Sequence, residues 1–185
     1  MEEDKIYEYD NIQVEGSEIF FHCDVSNESV NELCRSIRKI EREQGVMGIK
    51  NPQIHIHIKS DGGCLYSGLA AMDFLKHTCS HVTTIAEGMC ASAATFIFLA
   101  GDSRIILPNC YILIHQLSDT FWGTFEHLKD EMKQCKKVMR QIKKIYLEET
   151  TIPEEKLDLL MTRNLYFSAR KCIKFGLGLP PSQPV

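Results

Sequence analysis

A serine set among small residues carries the first chemistry in this sequence. Gly88-Met89-Cys90-Ala91-Ser92 follows the β-like run Val82-Thr83-Thr84-Ile85-Ala86. Ala93-Ala94-Thr95 then leads into the apolar run Phe96-Ile97-Phe98-Leu99-Ala100. A serine at a strand-to-helix turn has its hydroxyl pushed outward, and the unpaired amides of the helix start point toward whatever it attacks. Small neighbours at Gly88, Ala91, Ala93 and Ala94 let a substrate carbonyl approach the backbone. The pattern suits a nucleophile with an oxyanion site beside it. A small-residue helix start buried in a core has the same look, so the serine gains meaning from its surroundings.

Two flanking segments supply them. Ile54-His55-Ile56-His57-Ile58 alternates like a strand and ends at Lys59-Ser60-Asp61-Gly62-Gly63. Tyr111-Ile112-Leu113-Ile114 has the composition of a buried strand and ends at His115-Gln116. A Gly-Gly turn, a serine and a histidine therefore each stand at the C-terminal end of a β-like segment. Open α/β sheets place their active sites there.

The elements that must position these groups alternate along the chain. Ile12, Val14, Ile19, Phe20 and Phe21 predict one or two short strands about a turn at Gly16-Ser17. Ser26 or Ser29 can cap a helix with apolar spacing at Val30, Leu33, Cys34, Ile37 and Ile40, and Ser29 with Glu32 fits a capping box. A strand over 53–59, a helix over 64–79, the strand leading to Ser92 and a helix ending near Gly101-Asp102 follow. A turn then carries the chain through Arg104 and Leu107 to Pro108-Asn109 and the His115 strand. This β-α-β-α-β order argues for a mainly parallel sheet with crossover helices.

The segment from Thr124 to Glu149 predicts the longest helix. Its apolar residues Phe125, Leu128, Met132, Cys135, Met139, Ile142 and Tyr146 form the narrow seam of a helix that pairs along its length. Pro153 starts another helix, and Ser168 caps a last one ending at Gly176. The segments 1–10 and 180–185 are expected to be loose.

Composition narrows the function classes. A chain of 185 residues fits a single domain that buries about 70% of its unfolded surface. A net charge of −4 offers no basic footprint for nucleic acid and no polybasic patch for a membrane. The acidic first ten residues are unlike a secretory or mitochondrial leader. The apolar stretch from Ala91 to Gly101 is too short to span a bilayer, and the cysteines, read as reduced, set the expectation of a cytoplasmic location.

The eight cysteines contain no Cys-x-x-Cys pair and read as reduced thiols, with no zinc site. Cys64 and Cys90 flank the serine and are expected to be small buried packing groups. His55-x-His57 has no third ligand near it in sequence and reads as a partly exposed strand face, so no metal is assigned. His22, His77, His81 and His127 stand in no motif and are read as surface residues.

The combined order resembles a known family. Ser60-Asp61-Gly62-Gly63, Gly88 to Ser92, Leu107-Pro108-Asn109 with Ile114-His115-Gln116, and Tyr166-Phe167-Ser168-Ala169 ending in Phe175-Gly176-Leu177 are similar to the Clp protease proteolytic subunits. The similarity runs roughly from Asn11 to Leu179. It implies an α/β fold, the ClpP/crotonase-like superhelix of β-α-β units with a mainly parallel sheet and a protruding handle helix at 124–149.

The resemblance also implies roles. Ser92 matches the nucleophile, His115 the general base, and Gly62 and Ala93 the backbone donors of the oxyanion hole. Gly63-Cys64-Leu65 and Gln116-Leu117-Ser118 match the two edges that hold substrate as an added strand. No cofactor is implied. The family forms homo-oligomers, typically stacked heptameric rings that degrade peptides or unfolded proteins in a chamber fed by a hexameric AAA+ unfoldase. This chain has no Gly-Lys-Ser/Thr phosphate loop, so any use of ATP belongs to a partner.

Two positions depart from the family pattern. Leu117 stands where proline is usual. More seriously, Asn164 stands where the family has the aspartate that orients the histidine. An amide oxygen can accept from an imidazole N–H and hold the ring, but it brings no charge to stabilise the imidazolium. Three readings follow: a slow Ser-His-Asn endopeptidase, an enzyme switched on by assembly or a partner, or an inactive ring subunit supporting an active paralogue. Asp158, six residues earlier in a predicted helix, is a weak substitute. An acyl-CoA enzyme of the crotonase type ranks last, because it leaves the Ser92–His115 pairing without a purpose.

Overall fold

A computed structural model describes residues 12–182. Of the two segments expected to be loose, 1–10 and 183–185 lie outside the described residues.

The chain opens with a hairpin of β1 (Ile12–Glu15) and β2 (Glu18–Phe21), paired antiparallel. There follow α1 (Asn27–Val46), β3 (Gln53–Ser60), α2 (Leu65–Lys76), β4 (His81–Ala91) and α3 (Ala94–Leu99). The second half contains β5 (Ser103–Ile106), β6 (Tyr111–Ile114), α4 (Phe125–Glu149), α5 (Glu154–Met161), β7 (Leu165–Ser168) and α6 (Ala169–Lys174). The seven strands form one sheet in the order β1-β2-β3-β4-β6-β7, with β5 also paired to β4. The pairs from β2 to β6 are parallel, and only the edge pairs β1/β2 and β6/β7 are antiparallel. The fold is mixed α/β with a mainly parallel sheet, as expected.

Alternation on β3 explains its two faces. Ile54, Ile56 and Ile58 are fully buried and join one apolar cluster with Leu33 and Ile37 of α1 and Phe96 to Leu99 at α3. The odd positions face the other way, toward carboxylates. His55 Nδ1 lies 2.6 Å from Glu18 Oε1, and His57 lies 2.9 Å from Glu18 and 2.5 Å from Glu87. His57 is buried, with Phe20 stacked on its ring. The histidine pair is thus a carboxylate-bound cluster rather than a bare strand face. No group of side chains among the described residues is arranged to hold a metal.

Several elements differ from expectation for local reasons. The expected strand leading to Ser92 runs through Gly88 to Ala91 but is paired in two parts. β4 pairs β5 through Thr83–Ala86 and then β6 through Met89–Ala91, and Gly88 at φ 52° lies between the two pairings. The Arg104–Leu107 turn is largely strand β5, and Leu165–Ser168, for which no element was expected, is strand β7. The α1 capping box joins Ser26 to Ser29, not Ser29 to Glu32, and Glu32 pairs with Arg35 instead. Ser168 occupies the cap of α6 without a side-chain capping bond.

The long helix α4 is anchored at one end only. Thr124 caps it by accepting from the His127 amide, and its buried residues are Ile142, Ile145 and Tyr146. Phe125, Leu128 and Met132, on the first two turns of the expected seam, are exposed.

Candidate active site

Ser92 sits at the exit of β4 with φ 52°, the one described non-glycine residue in the left-handed region. That conformation costs an L-residue roughly 1–2 kcal/mol, so the surroundings must hold it. They do so through both of its backbone groups. The Ser92 amide donates to the Leu113 carbonyl on β6 at 2.9 Å. The Ser92 carbonyl accepts from the Thr95 amide at 3.0 Å and from the Thr95 hydroxyl at 2.6 Å.

The Gly-Gly turn is pressed against this corner. A Cβ at Gly62, where φ is 101°, would lie 2.6 Å from Ser92 Cβ and 2.7 Å from the Ala91 carbonyl oxygen. A Cβ at Gly63 would collide with the Val25 carbonyl. On the far side, a Cβ at Gly68 of α2 would meet the Ala93 carbonyl at 2.8 Å. Only glycine lets Gly62 approach Ser92, Gly63 approach Val25 and Gly68 approach Ala93 so closely.

Ser92 and His115 line one cavity of about 290 Å³ together with Asp61, Gly63, Ala93 and Tyr146. The rest of its wall includes Leu65 on one side and Gln116, Leu117 and Ser118 on the other. Cys64 lines an adjoining cavity of about 280 Å³ with Leu117 and Ser118. Five of the six residues expected to form the substrate edges therefore line the Ser92 cavity, and Cys64 lines the adjoining one. A larger apolar cavity of about 750 Å³ continues from Gln116 and Leu117 to Phe121, Met132 and Met139.

One expected donor is placed otherwise. The Gly62 amide donates to the Ser60 hydroxyl at 3.2 Å and is not free for an oxyanion. The amides of Gly63 and Ala93 make no hydrogen bond among the described residues, and both residues line the cavity. Gly63 was legible as part of the Gly-Gly pair, but which of the two amides is spent locally depends on Ser60.

The histidine end is less tightly built. The β6–β7 register ends at Ile114↔Leu165, so the next facing pair outward is His115 and Asn164. Beyond it the Gln116 amide donates to the Met161 carbonyl at 3.0 Å. Asn164 is exposed, and neither its side chain nor that of His115 makes a hydrogen bond among the described residues. Asp158 is held by Lys143 at 2.6 Å, which removes it as a substitute partner.

The two flanking cysteines differ from each other. Cys90 is buried, and burial pushes its thiol well above the ordinary range. Cys64 is exposed, contrary to expectation, and the Ser67 hydroxyl and amide beside it lower its thiol pKa. All eight cysteines are free.

The sequence model of the Clp protease family matches residues 2–178 of this chain. The chain belongs to the Clp protease family. Its similarity to the ATP-dependent Clp protease proteolytic subunit of Deinococcus radiodurans is 31% identity, covering 86% of this chain and 76% of that one. The Chlorella vulgaris subunit of the same name is 31% identical over 86% of this chain and 78% of its own, and that of Oltmannsiellopsis viridis 30% over 86% and 80%. Among the described residues of this Clp-family chain, no helix is long and apolar enough to cross a membrane.

Proposed function

We propose that this Clp-family chain is a serine endopeptidase working by a Ser-His-Asn variant of the Ser-His-Asp mechanism. The observation that carries the reading is the cavity shared by Ser92, His115 and the unpaired amides of Gly63 and Ala93. An extended peptide lies between the edge 63–65 and the edge 116–118 as an added strand. His115 takes the Ser92 proton as Oγ bonds to the scissile carbonyl carbon. The Gly63 and Ala93 amides receive the oxyanion, in place of the Gly62–Ala93 pair that the family resemblance suggested. His115 then gives the proton to the leaving amine, and water hydrolyses the acyl-serine by the same steps in reverse. For this step the exposed Asn164 side chain must turn so that its amide oxygen accepts from His115 Nδ1–H and orients the ring.

The exposed first half of α4 supports assembly. Phe125, Leu128 and Met132 form an uncovered apolar stripe on a helix that leaves the body, near Trp122, which is 94% exposed. A homo-oligomer of stacked heptameric rings, the arrangement the family resemblance implies, would cover it and enclose the cleft. Delivery of unfolded protein by a hexameric AAA+ unfoldase, in the cytoplasm, completes this reading.

A second reading has its own observation. Asn164 supplies no charge, is exposed and makes no hydrogen bond to His115. A weakly active or inactive ring subunit beside an active paralogue accommodates that.

Hydrolysis of a fluorogenic peptide, measured alongside native mass, separates the two. Turnover by the homo-oligomer that disappears in Ser92→Ala supports the peptidase. An assembled protein without turnover, in both the parent and Asn164→Asp, supports the inactive subunit.

A further inference from the structure

The wall of the catalytic cavity contains a buried phenol that the hydrolytic steps do not use. Tyr146, in the last turns of α4, is 2% exposed, and its hydroxyl lies 2.5 Å from Thr95 Oγ1. The direction of this bond follows from counting protons. Thr95 Oγ1 has one proton, and it is given to the Ser92 carbonyl, which can only accept. Tyr146 must therefore donate to Thr95. Burial pushes the Tyr146 phenol far above its ordinary pKa, which keeps that proton in place. The result is a directed chain, Tyr146 O–H to Thr95 O–H to Ser92 C=O, between buried groups where each bond strengthens the next.

We propose that Tyr146, acting through Thr95, is a positioning residue for Ser92. The relay holds the Ser92 carbonyl and so keeps the nucleophile in its left-handed conformation, with Oγ in the cleft and the Ala93 amide unpaired beside it. The Ser92 amide is fixed separately by Leu113. Removing the relay leaves that one anchor and the Thr95 amide against the backbone's preference for negative φ. Because Tyr146 belongs to α4, the relay also ties the nucleophile to the helix whose outer half is uncovered. The kinetic part of this inference rests on the peptidase reading. The conformational part does not.

Three variants test it: Tyr146→Phe and Thr95→Val, which remove one hydroxyl each, and Thr95→Ser, which keeps it. Hydrogen exchange over residues 92–96 is read by mass spectrometry together with kcat and KM for a peptide substrate. The first two variants are expected to speed exchange in that segment and lower kcat by about tenfold, the effect of one lost hydrogen bond on a held geometry, with KM little changed. Thr95→Ser is expected to match the parent in both. Unchanged exchange over 92–96 in Tyr146→Phe overturns the inference, as does a Thr95→Ser variant as impaired as Thr95→Val. If exchange responds as expected while no variant or parent turns over peptide, the relay stands and the peptidase reading falls.

Discussion

The Ser92 amide donates to the Leu113 carbonyl at 2.9 Å, which fastens the exit of β4 to the strand that leads into His115 two residues further on. Two parallel strands whose C-terminal ends are joined in this way cannot slide past one another without breaking the bond. The distance between Ser92 and His115 is thus set by backbone, and their side chains need only the correct rotamers.

Strain at Ser92 has a measurable signature. Ser92→Gly removes the cost of φ 52° while Ser92→Ala keeps it. Both lose the hydroxyl. Urea unfolding is expected to find the glycine variant more stable than the alanine variant by about 1 kcal/mol. Equal stabilities would mean the corner is not strained.

Gly62 tests the packing behind Ser92. An alanine there meets both a left-handed φ and Ser92 Cβ at 2.6 Å, with backbone at 2.7 Å that has no room to give. Gly62→Ala is expected to cost about 2 kcal/mol or more and to abolish peptide turnover, although Gly62 donates nothing to the oxyanion. Gly16→Ala is the control for positive φ alone, because a Cβ there meets nothing within 4 Å. It is expected to leave turnover intact.

Asn164 tests the orienting role. Restoring a carboxylate with Asn164→Asp is expected to raise kcat by about 10-fold to 10⁴-fold, the range set by changing an amide partner to a charged one. Asn164→Ala is expected to lower kcat further than it changes KM. A kcat equal in Asn, Asp and Ala forms would remove Asn164 from the mechanism. Steady-state kinetics on one peptide is sufficient.

Glu18 gives the sheet face a pH dependence. Partial burial alone would raise its carboxyl, but hydrogen bonds and charge from His55 and His57 outweigh it and hold the pKa below the ordinary value. A depressed carboxyl stabilises the fold above its unfolded pKa of about 4.3, and the stabilisation is lost as pH falls through the folded value. Glu18→Gln removes that contribution. The stability gap between parent and Glu18→Gln is expected to be present near neutral pH and to close under acid, as measured by urea midpoints. A gap that widens toward acid would reverse the sign.

Much of the frame was written in patterns that physics makes local. Isoleucine alternation fixed the two faces of β3, and the strand-end positions of Gly63, Ser92 and His115 followed from where each apolar run stops. What local pattern could not carry was pairing. The strands β5 and β7 are four residues each and become strands only because β4 and β6 offer them hydrogen bonds. That the Gly62 amide is spent on the Ser60 hydroxyl while the Gly63 amide is not depends on a side-chain position that the sequence does not show. Thr95 and Tyr146, 51 residues apart, looked like helix-core residues, and only the fold shows their hydroxyls meeting. The His55 and His57 partners, Glu18 and Glu87, lie on neighbouring strands and were equally invisible.

The most direct measurement is labelling of the assembled protein with a fluorophosphonate, the adduct mapped to its residue by mass spectrometry. A serine attacks phosphorus in such a probe only when it is activated by a base and faces an oxyanion site. The expected result is one adduct at Ser92, formed faster in Asn164→Asp and absent from His115→Ala. A folded, assembled protein that forms no Ser92 adduct in either the parent or Asn164→Asp would contradict the assignment of Ser92 and His115 as a working nucleophile and base.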